Sequence, residues 1–307
     1  MKEYEFIVEE DFSGERIDRY LSVKLSNITR SRIQIIAENG GISVGGKTVG
    51  KNYKVKSGET ISFFEDEPEE IDVSPEDIPL DIVYEDSDVI VVNKKKGMVV
   101  HPASGNKSGT LVNALLFHCK GSLSGINGYL RPGIVHRIDK DTSGLIIAAK
   151  NNISHVSLAE QIKVHAVKRV YYAICYGHLK EKSGTIDAPI GRDKKDRKKM
   201  AVTKENSKNA ITHYEVLAEY DKFSLIKAKL ETGRTHQIRV HFSHIGHPLA
   251  GDVVYGPKKV ITALEGQCLH AKEIEFQHPT SGEKIHLETD LPEYFRKFIS
   301  QQKERII

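Results

Sequence analysis

The sequence predicts an α+β protein built from two domains. Three observations predict it. The 307 residues exceed the roughly 100–200 of one domain. An acidic stretch at residues 65–86, punctuated by Pro68, Pro75 and Pro79, divides the chain. Beyond it, strand patterns predominate over a few interspersed helices, the mark of the α+β class. A hydrophobic content of 39% and a charged content of 28% are globular proportions and exclude a disordered chain.

The amino terminus, MKEYEFIVEED, alternates charged with apolar residues and lacks the basic start and apolar core of a signal peptide. Apolar runs such as Leu145–Ala149 are far shorter than the roughly 20 residues of a membrane helix. A soluble, cytoplasmic protein with no membrane partner is expected. Cys119, Cys175 and Cys268 show no C-x-x-C spacing, fit a reducing compartment and read as buried small hydrophobes.

Residues 14–64 read as a small domain. Ile17, Tyr20 and Leu21 recur at helical spacing and leave Arg16 and Arg19 on the other face. Ile33, Ile36 and Ala37 mark a second helix, opened by Arg30 and Arg32 and stopped by Gly40-Gly41. Short strands follow at Ile42 and Val44, at Tyr53 and Val55, and at Ile61 and Phe63. From Arg16 to Gly58 nine basic residues, Lys47 among them, stand against two acids. Charge alone leaves open a solvated surface or a nucleic-acid footprint.

Residues 65–86 hold eleven acids and no Lys or Arg, and are expected to form an extended, solvated linker. They also mask charge. The whole chain has 45 Lys+Arg against 42 Asp+Glu, a net of +3; without these 22 residues the balance is 45 against 31, a net of +14.

After the linker, Asp88–Asn93 reads as a strand, and Thr110 as the cap of a helix over Leu111, Ala114 and Leu115. Strand-like pieces at Gly133–Ile138 and Leu145–Ala149 flank a polar turn with Asp139 and Asp141, where a solvated hairpin tip is the ordinary reading. Lys168–Gly177 alternates, with Tyr171, Ala173 and Cys175 on one face. Arg192–Lys204, with seven basic residues, lies between strand patterns and reads as a loop. Gly233–Gly246 reads as a helix with Ile238, Phe242 and Ile245 buried, and Arg239, His236, His241 and His244 off that stripe.

The runs HRIDKDTSG from His136, KRVYYA around Tyr171, TGRTHQIRVH from Thr232, HPLAGDVVYG from His247 and CLHA from Cys268 follow a basic two-helix domain. In that order, over residues 14–292, they resemble the RluA/RluD family of RNA pseudouridine synthases. Residues 14–64 resemble the S4 RNA-binding domain. With GNKSGTLVNALL from Gly105 it favours the RluD-like branch, which modifies large-subunit (23S) ribosomal RNA. Where that branch often reads N-K-P-x-G, this chain has Asn93-Lys94-Lys95-Lys96-Gly97, which is expected to loosen the turn and add charge. The resemblance implies an S4-like domain at 14–64, an acidic linker at 65–86 and a catalytic domain at 87–307. The last would have a mixed, largely antiparallel sheet, flanking helices and a cleft across it.

Pseudouridine formation breaks the uridine N1–C1′ bond, turns the uracil and rejoins it through C5 with no net oxidation. An isomerase without cofactor or metal is therefore expected. The chemistry needs an ionised carboxylate as nucleophile or base, and the resemblance implies Asp139. Arg239 would oppose the burial of that charge, worth roughly 4 kcal/mol gross at about 4 Å and an effective dielectric near 20. Tyr171 would stack on the base, and Arg137 would fill the space of the flipped nucleotide or hold its phosphate; as alternatives, Tyr171 is a core aromatic and Arg137 an ion-pair partner of Asp141. RNA contacts are expected from Arg16, Arg19, Arg30, Arg32 and Lys47, and from Arg137, Arg192, Lys198, Lys199 and Arg234, in a monomer.

Two rivals are weighed beside this. A metal site drawn from His236, His241, His244, His247 and Asp252 lacks converging spacing, because in a helix only His241 and His244 stand one turn apart. A non-catalytic S4-type RNA-binding or ribosome-assembly factor would explain the basic surfaces, but binding alone requires no carboxylate amid cations.

Overall fold

The computed structural model describes residues 2–25, 28, 30–65, 73–103, 105–126, 131–196 and 199–305. The chain divides into two compact units, Met1–Ile71 and Asp72–Ile307. The first contains β1 (Lys2–Ile7), α1 (Ile17–Lys24), α2 (Arg30–Glu38), β2 (Ile42–Val44), β3 (Lys47–Thr48) and β4 (Thr60–Glu65). Its strands form an antiparallel sheet in the order β1-β4-β2-β3. Ile17, Tyr20 and Leu21 of α1 and Ile33, Ile36 and Ala37 of α2 bury against Ile42, Ile61 and Phe63. β1 lies ahead of the expected domain; its Tyr4 and Phe6 stand opposite Phe63 and Ile61 of β4, which draws the amino terminus into this sheet. Tyr53 and Val55 form no strand, only a single bridge at Lys54 to Arg16.

The second unit contains β5 (Ile82–Glu85), β6 (Val89–Lys94), α3 (Leu111–Cys119), β7 (Ser143–Ala149), α4 (Asn152–Lys163), β8 (Lys168–Tyr176), β9 (Ser183–Asp187), β10 (Ile190–Arg192), β11 (Met200–Val202), β12 (Ser207–Lys208), β13 (Ile211–Glu219), β14 (Phe223–Leu230), α5 (Gln237–His244), β15 (Leu269–Gln277), β16 (Lys284–Glu288) and α6 (Glu293–Ser300). Nine strands form one sheet in the order β5-β6-β7-β15-β8-β14-β13-β9, with β16 on β15. Every pair is antiparallel except β7 with β15, so the sheet is mixed and largely antiparallel.

Both faces of this sheet are covered. α3 and α5 pack on one face, against Ile90, Ile146, Tyr171 and Ala228. On the other, α4 supplies Leu158 against Leu145 and Ile147, and α6 supplies Phe295 and Phe298 against Ile174 and Phe223. Double coverage is why β7 is buried along its whole length and carries no alternation of apolar with polar residues. α3 starts as expected: Thr110 Oγ1 accepts the Asn113 N–H at 3.4 Å and Asn113 Oδ1 accepts the Thr110 N–H at 3.0 Å.

Three expectations are corrected. The stretch 65–86 is not a linker throughout: Ile82–Glu85 pair with β6, and Val73, Leu80 and Ile82 pack on the core, so its apolar residues outweigh its acids there. Residues 66–72 lie outside the described residues. Arg192–Lys204 is not a plain loop, because Met200–Val202 pair with β10, and Met200 and Val202 pack with Ile190, Ala210 and Val240. Gly133–Ile138 is not a strand. Ile134 alone bridges to Ala148, and the His136 ring, rather than a backbone carbonyl, accepts the Ile147 N–H.

Candidate active site

Asp139 sits in the turn between β6's side of the sheet and the start of β7, and three lysine and glycine contacts hold that turn. Lys94 is 1% exposed and its ammonium donates to the carbonyls of Lys95, Met98 and Lys140 at 2.9, 2.8 and 3.0 Å. Burial pushes its pKa down, while Asp141 and Asp139 oppose. Lys96 donates to the carbonyls of Leu264, Gly266 and Gln267 and stands 4.2 Å from the Tyr294 ring centre. The expected looseness of this lysine run is thus corrected: two of its three lysines tie backbone carbonyls together, and only Lys95 is exposed. Gly144, the second residue of β7, has φ +110°, and a Cβ there would stand 2.3 Å from the Ala271 carbonyl oxygen. No other residue fits between β7 and β15 at this point.

The cation that faces Asp139 comes from α5. Arg239 Nη1 donates to Asp139 Oδ2 at 2.9 Å. Its Nε and Nη2 grip Asp252 Oδ2 and Oδ1 at 2.7 and 3.0 Å, and Asp252 Oδ1 also accepts the N–H groups of Val254 and Tyr255. Burial pushes the Asp252 carboxyl up, but the guanidinium and those N–H groups hold it below its usual range. One guanidinium therefore serves two carboxylates, one fully buried and one, Asp139, with 18% of its side chain exposed. Tyr255 stands face-on to the pair, its ring centre 5.1 Å from Arg239 Cζ, and its hydroxyl meets His236 Nδ1 at 2.8 Å. His236 precedes α5 in the left-handed region, φ +57°, with Nε2 3.9 Å from Asp139 Oδ1.

α5 differs from its amphipathic reading. It starts at Gln237, and Arg239 and His241, expected off the buried stripe, are buried with Ile238 and Phe242. The reason is tertiary: Val240, on the far side, is covered by Ile190 and Ala210. Gln237 anchors the helix start, accepting from Thr232 Oγ1 and the Arg234 N–H and donating to Ile211 O and Thr212 Oγ1.

A cavity of about 430 Å³ opens here, with Asp139, Arg239, Tyr171, Arg137, Arg234 and Arg169 among its walls. Tyr171 is 6% exposed, and burial raises its pKa, against Arg169 and with Asp139, so its hydroxyl is protonated at neutral pH. The structure thus brings together Asp139, Tyr171 and Arg239, with Arg137 exposed at the rim and Arg234 partly so. Arg137 forms no ion pair with Asp141 among the described residues. Arg192 and Lys199 belong to the β10–β11 hairpin; Lys198 lies outside the described residues. In the first unit Arg16 and Arg30 both bond buried Asp18, at 3.0 and 3.2–3.3 Å, and Arg19 bonds Glu15. Lys47 is exposed on β3; the Arg32 side chain lies outside the described residues.

The histidines that suggested a metal have separate partners. His241 bonds Thr212 Oγ1 and Ala188 O, His247 bonds Tyr176 O, and Asp252 is taken up by Arg239. Sequence reasoning considered Asp252 only as a ligand and missed its grip on Arg239, and it passed over Arg169; the GDVVYG run was the available signal for the first.

Residues 88–244 match the RNA pseudouridylate synthase family model, and residues 15–61 the S4 domain model. The chain is 49% identical over 304 residues to the uncharacterized RNA pseudouridine synthase YlyB of Bacillus subtilis, covering 99% of each chain. It is 44% identical over 294 residues to ribosomal large subunit pseudouridine synthase D of Zymomonas mobilis, covering 92% of each. Among solved structures it is similar to human RNA pseudouridylate synthase domain containing 1, with a TM-score of 0.60, 27% identity, and 78% of this chain and 91% of that one covered.

Proposed function

This chain belongs to the RNA pseudouridine synthase family and is an isomerase of RNA uridine, and from that premise we propose that it acts on large-subunit ribosomal RNA in the cytoplasm with Asp139 as its catalytic carboxylate. The observation that carries the assignment is the Asp139–Arg239 pair at 2.9 Å in the wall of a cavity shared with Tyr171. The names of relatives such as the Zymomonas mobilis protein support the ribosomal substrate.

In this reading the uridine leaves its stack, at a cost of a few kcal/mol, and enters the cavity. Arg137, exposed at the rim, holds the flipped nucleotide or the place it left. Tyr171 receives the uracil face as a neutral phenol. Asp139 attacks as the N1–C1′ bond breaks or takes a proton as the C5–C1′ bond forms. Arg239 keeps it charged and aimed, since Asp252 already fixes the guanidinium plane. The S4-like unit, residues 14–64, captures RNA through its basic face, and residues 87–307 carry the chemistry.

Release of tritium from RNA labelled at uridine C5 tests this. The wild type releases tritium, and Asp139→Asn loses release by at least about 1,000-fold while retaining RNA in a filter assay. Equal release by the two would remove Asp139 from the mechanism.

A further inference from the structure

Among the charged side chains that line the cavity and that this chemistry leaves unused, Arg169 is the buried one. Arg169 lies on β8 two residues before Tyr171, hence on the same face, and opposite Leu230 of β14. It is 7% exposed. Its Nε is buried without a hydrogen-bond partner, and no carboxylate pairs with it among the described residues. Gly233 leaves room for its guanidinium, since a Cβ there would stand 2.7 Å from Nη1. A folded chain ordinarily offsets a buried cation with an anion; this one has none among the described residues.

His136, in the same cavity wall, repeats the pattern. Its Nε2 accepts the Ile147 N–H at 3.1 Å, and burial, with Arg169's charge, pushes its pKa down to about 3. The neutral ring therefore carries its proton on Nδ1, which is also buried without a partner. Two donors without acceptors thus border the cavity that holds Asp139 and Tyr171.

We propose that Arg169 is a further catalytic residue, whose guanidinium donates to a carbonyl oxygen of the target uracil and holds the negative charge that develops on the ring as it detaches. This rests on the reading of the cavity as a pseudouridine-forming site. When N1–C1′ breaks, the electron pair stays with the ring and spreads over N1 and its carbonyl oxygens. The ring turns, C5 bonds to C1′, C5 releases its proton and N1 takes one up. A guanidinium at the carbonyl binds the detached ring more strongly than the neutral base, which is the condition for acceleration. The partner is a base carbonyl and not a phosphate because Arg169 and Tyr171 are equally deep, at 7% and 6% exposed, whereas Arg137 at the rim is exposed.

The experiment compares full-length wild type, Arg169→Met and Arg169→Lys by single-turnover tritium release, RNA filter binding and thermal midpoint. Arg169→Met is expected to lose about 100-fold or more in rate, with affinity within about 3-fold. Its midpoint is unchanged or raised, because an unpaired buried charge has gone. Arg169→Lys recovers about 10-fold of the lost rate, the cation being restored without its fork. An unchanged rate overturns the proposal. So does a loss that lies in affinity with a shallower salt slope, which would make Arg169 a phosphate contact, or a midpoint lowered in both variants, which would make it structural. Wild type without tritium release would overturn the functional reading itself, and the proposal with it.

Discussion

Replacing each of the two carboxylates on Arg239 by its amide should separate stability from chemistry. Asp252→Asn removes the charge from a group with no exposed side-chain area, bonded at 2.7 Å to a guanidinium only 6% exposed. At an effective dielectric near 20 the gross attraction across that distance is about 6 kcal/mol. Breaking a buried pair from one side costs about 3–5 kcal/mol when the partner charge is left bare; Asp139, partly exposed, still meets one edge of the guanidinium, so the lower end, about 3 kcal/mol, is expected. For a unit of this size that is on the order of 10 °C in thermal midpoint. Asp139→Asn should cost about 1 kcal/mol or less: its oxygen still accepts from Arg239, and Asp252 still neutralises the cation. Midpoints by circular dichroism and tritium release from C5-labelled RNA read both quantities. Asp252→Asn should unfold early and retain some turnover below its midpoint, whereas Asp139→Asn should be stable and inactive. A stable Asp252→Asn variant, within about 0.5 kcal/mol of wild type, would refute the claim that Asp252 fixes the arginine.

Other outcomes follow from the same geometry. Gly144→Ala, with its Cβ driven to 2.3 Å from a β15 carbonyl at φ +110°, should lose more than about 3 kcal/mol in urea unfolding; tolerance would contradict the close approach of β7 to β15. Burial pushes His136 and His270 down to about 3 and about 4, below an unfolded value near 6.5. The neutral ring is favoured in the fold, so their contribution is whole above about pH 6.5 and is lost as pH falls toward those values. Urea midpoints should drop between pH 7.5 and 5, and less so in His270→Asn; a flat profile would count against both. Arg16→Ala or Arg30→Ala in the full chain should weaken RNA binding and reduce the salt slope by about 0.7–0.9 each, and an unchanged slope would take them off the phosphate backbone.

Much of this protein is legible before any tertiary structure. The alternation of Tyr171, Ala173 and Cys175 reports one face of β8, the Thr110–Asn113 spacing reports a capped helix, and those signals are local, carried by residues within a turn or a strand of one another. The runs containing Asp139, Tyr171 and Arg239 also point to the candidate site, through their resemblance to a known family.

What local pattern could not decide is who meets whom. The amphipathic reading of α5 put Arg239 and His241 outside, because periodicity reports one buried face and is silent about Ile190 and Ala210 packing on the other. Acidic composition made residues 82–85 look like linker, although an open edge of β6 was waiting for Ile82 and Tyr84. Asp252 looked like a possible metal ligand until the fold set it on Arg239, 13 positions away, and Arg169 looked like any strand residue until the fold placed it in a cavity wall with no counter-ion among the described residues. Sequence by itself determined which chemical groups the protein owns and which secondary structures carry them. Tertiary structure decided which charges are paired and which stand in the cavity wall without a partner among the described residues, because pairing depends on burial and distance across strands far apart in the chain.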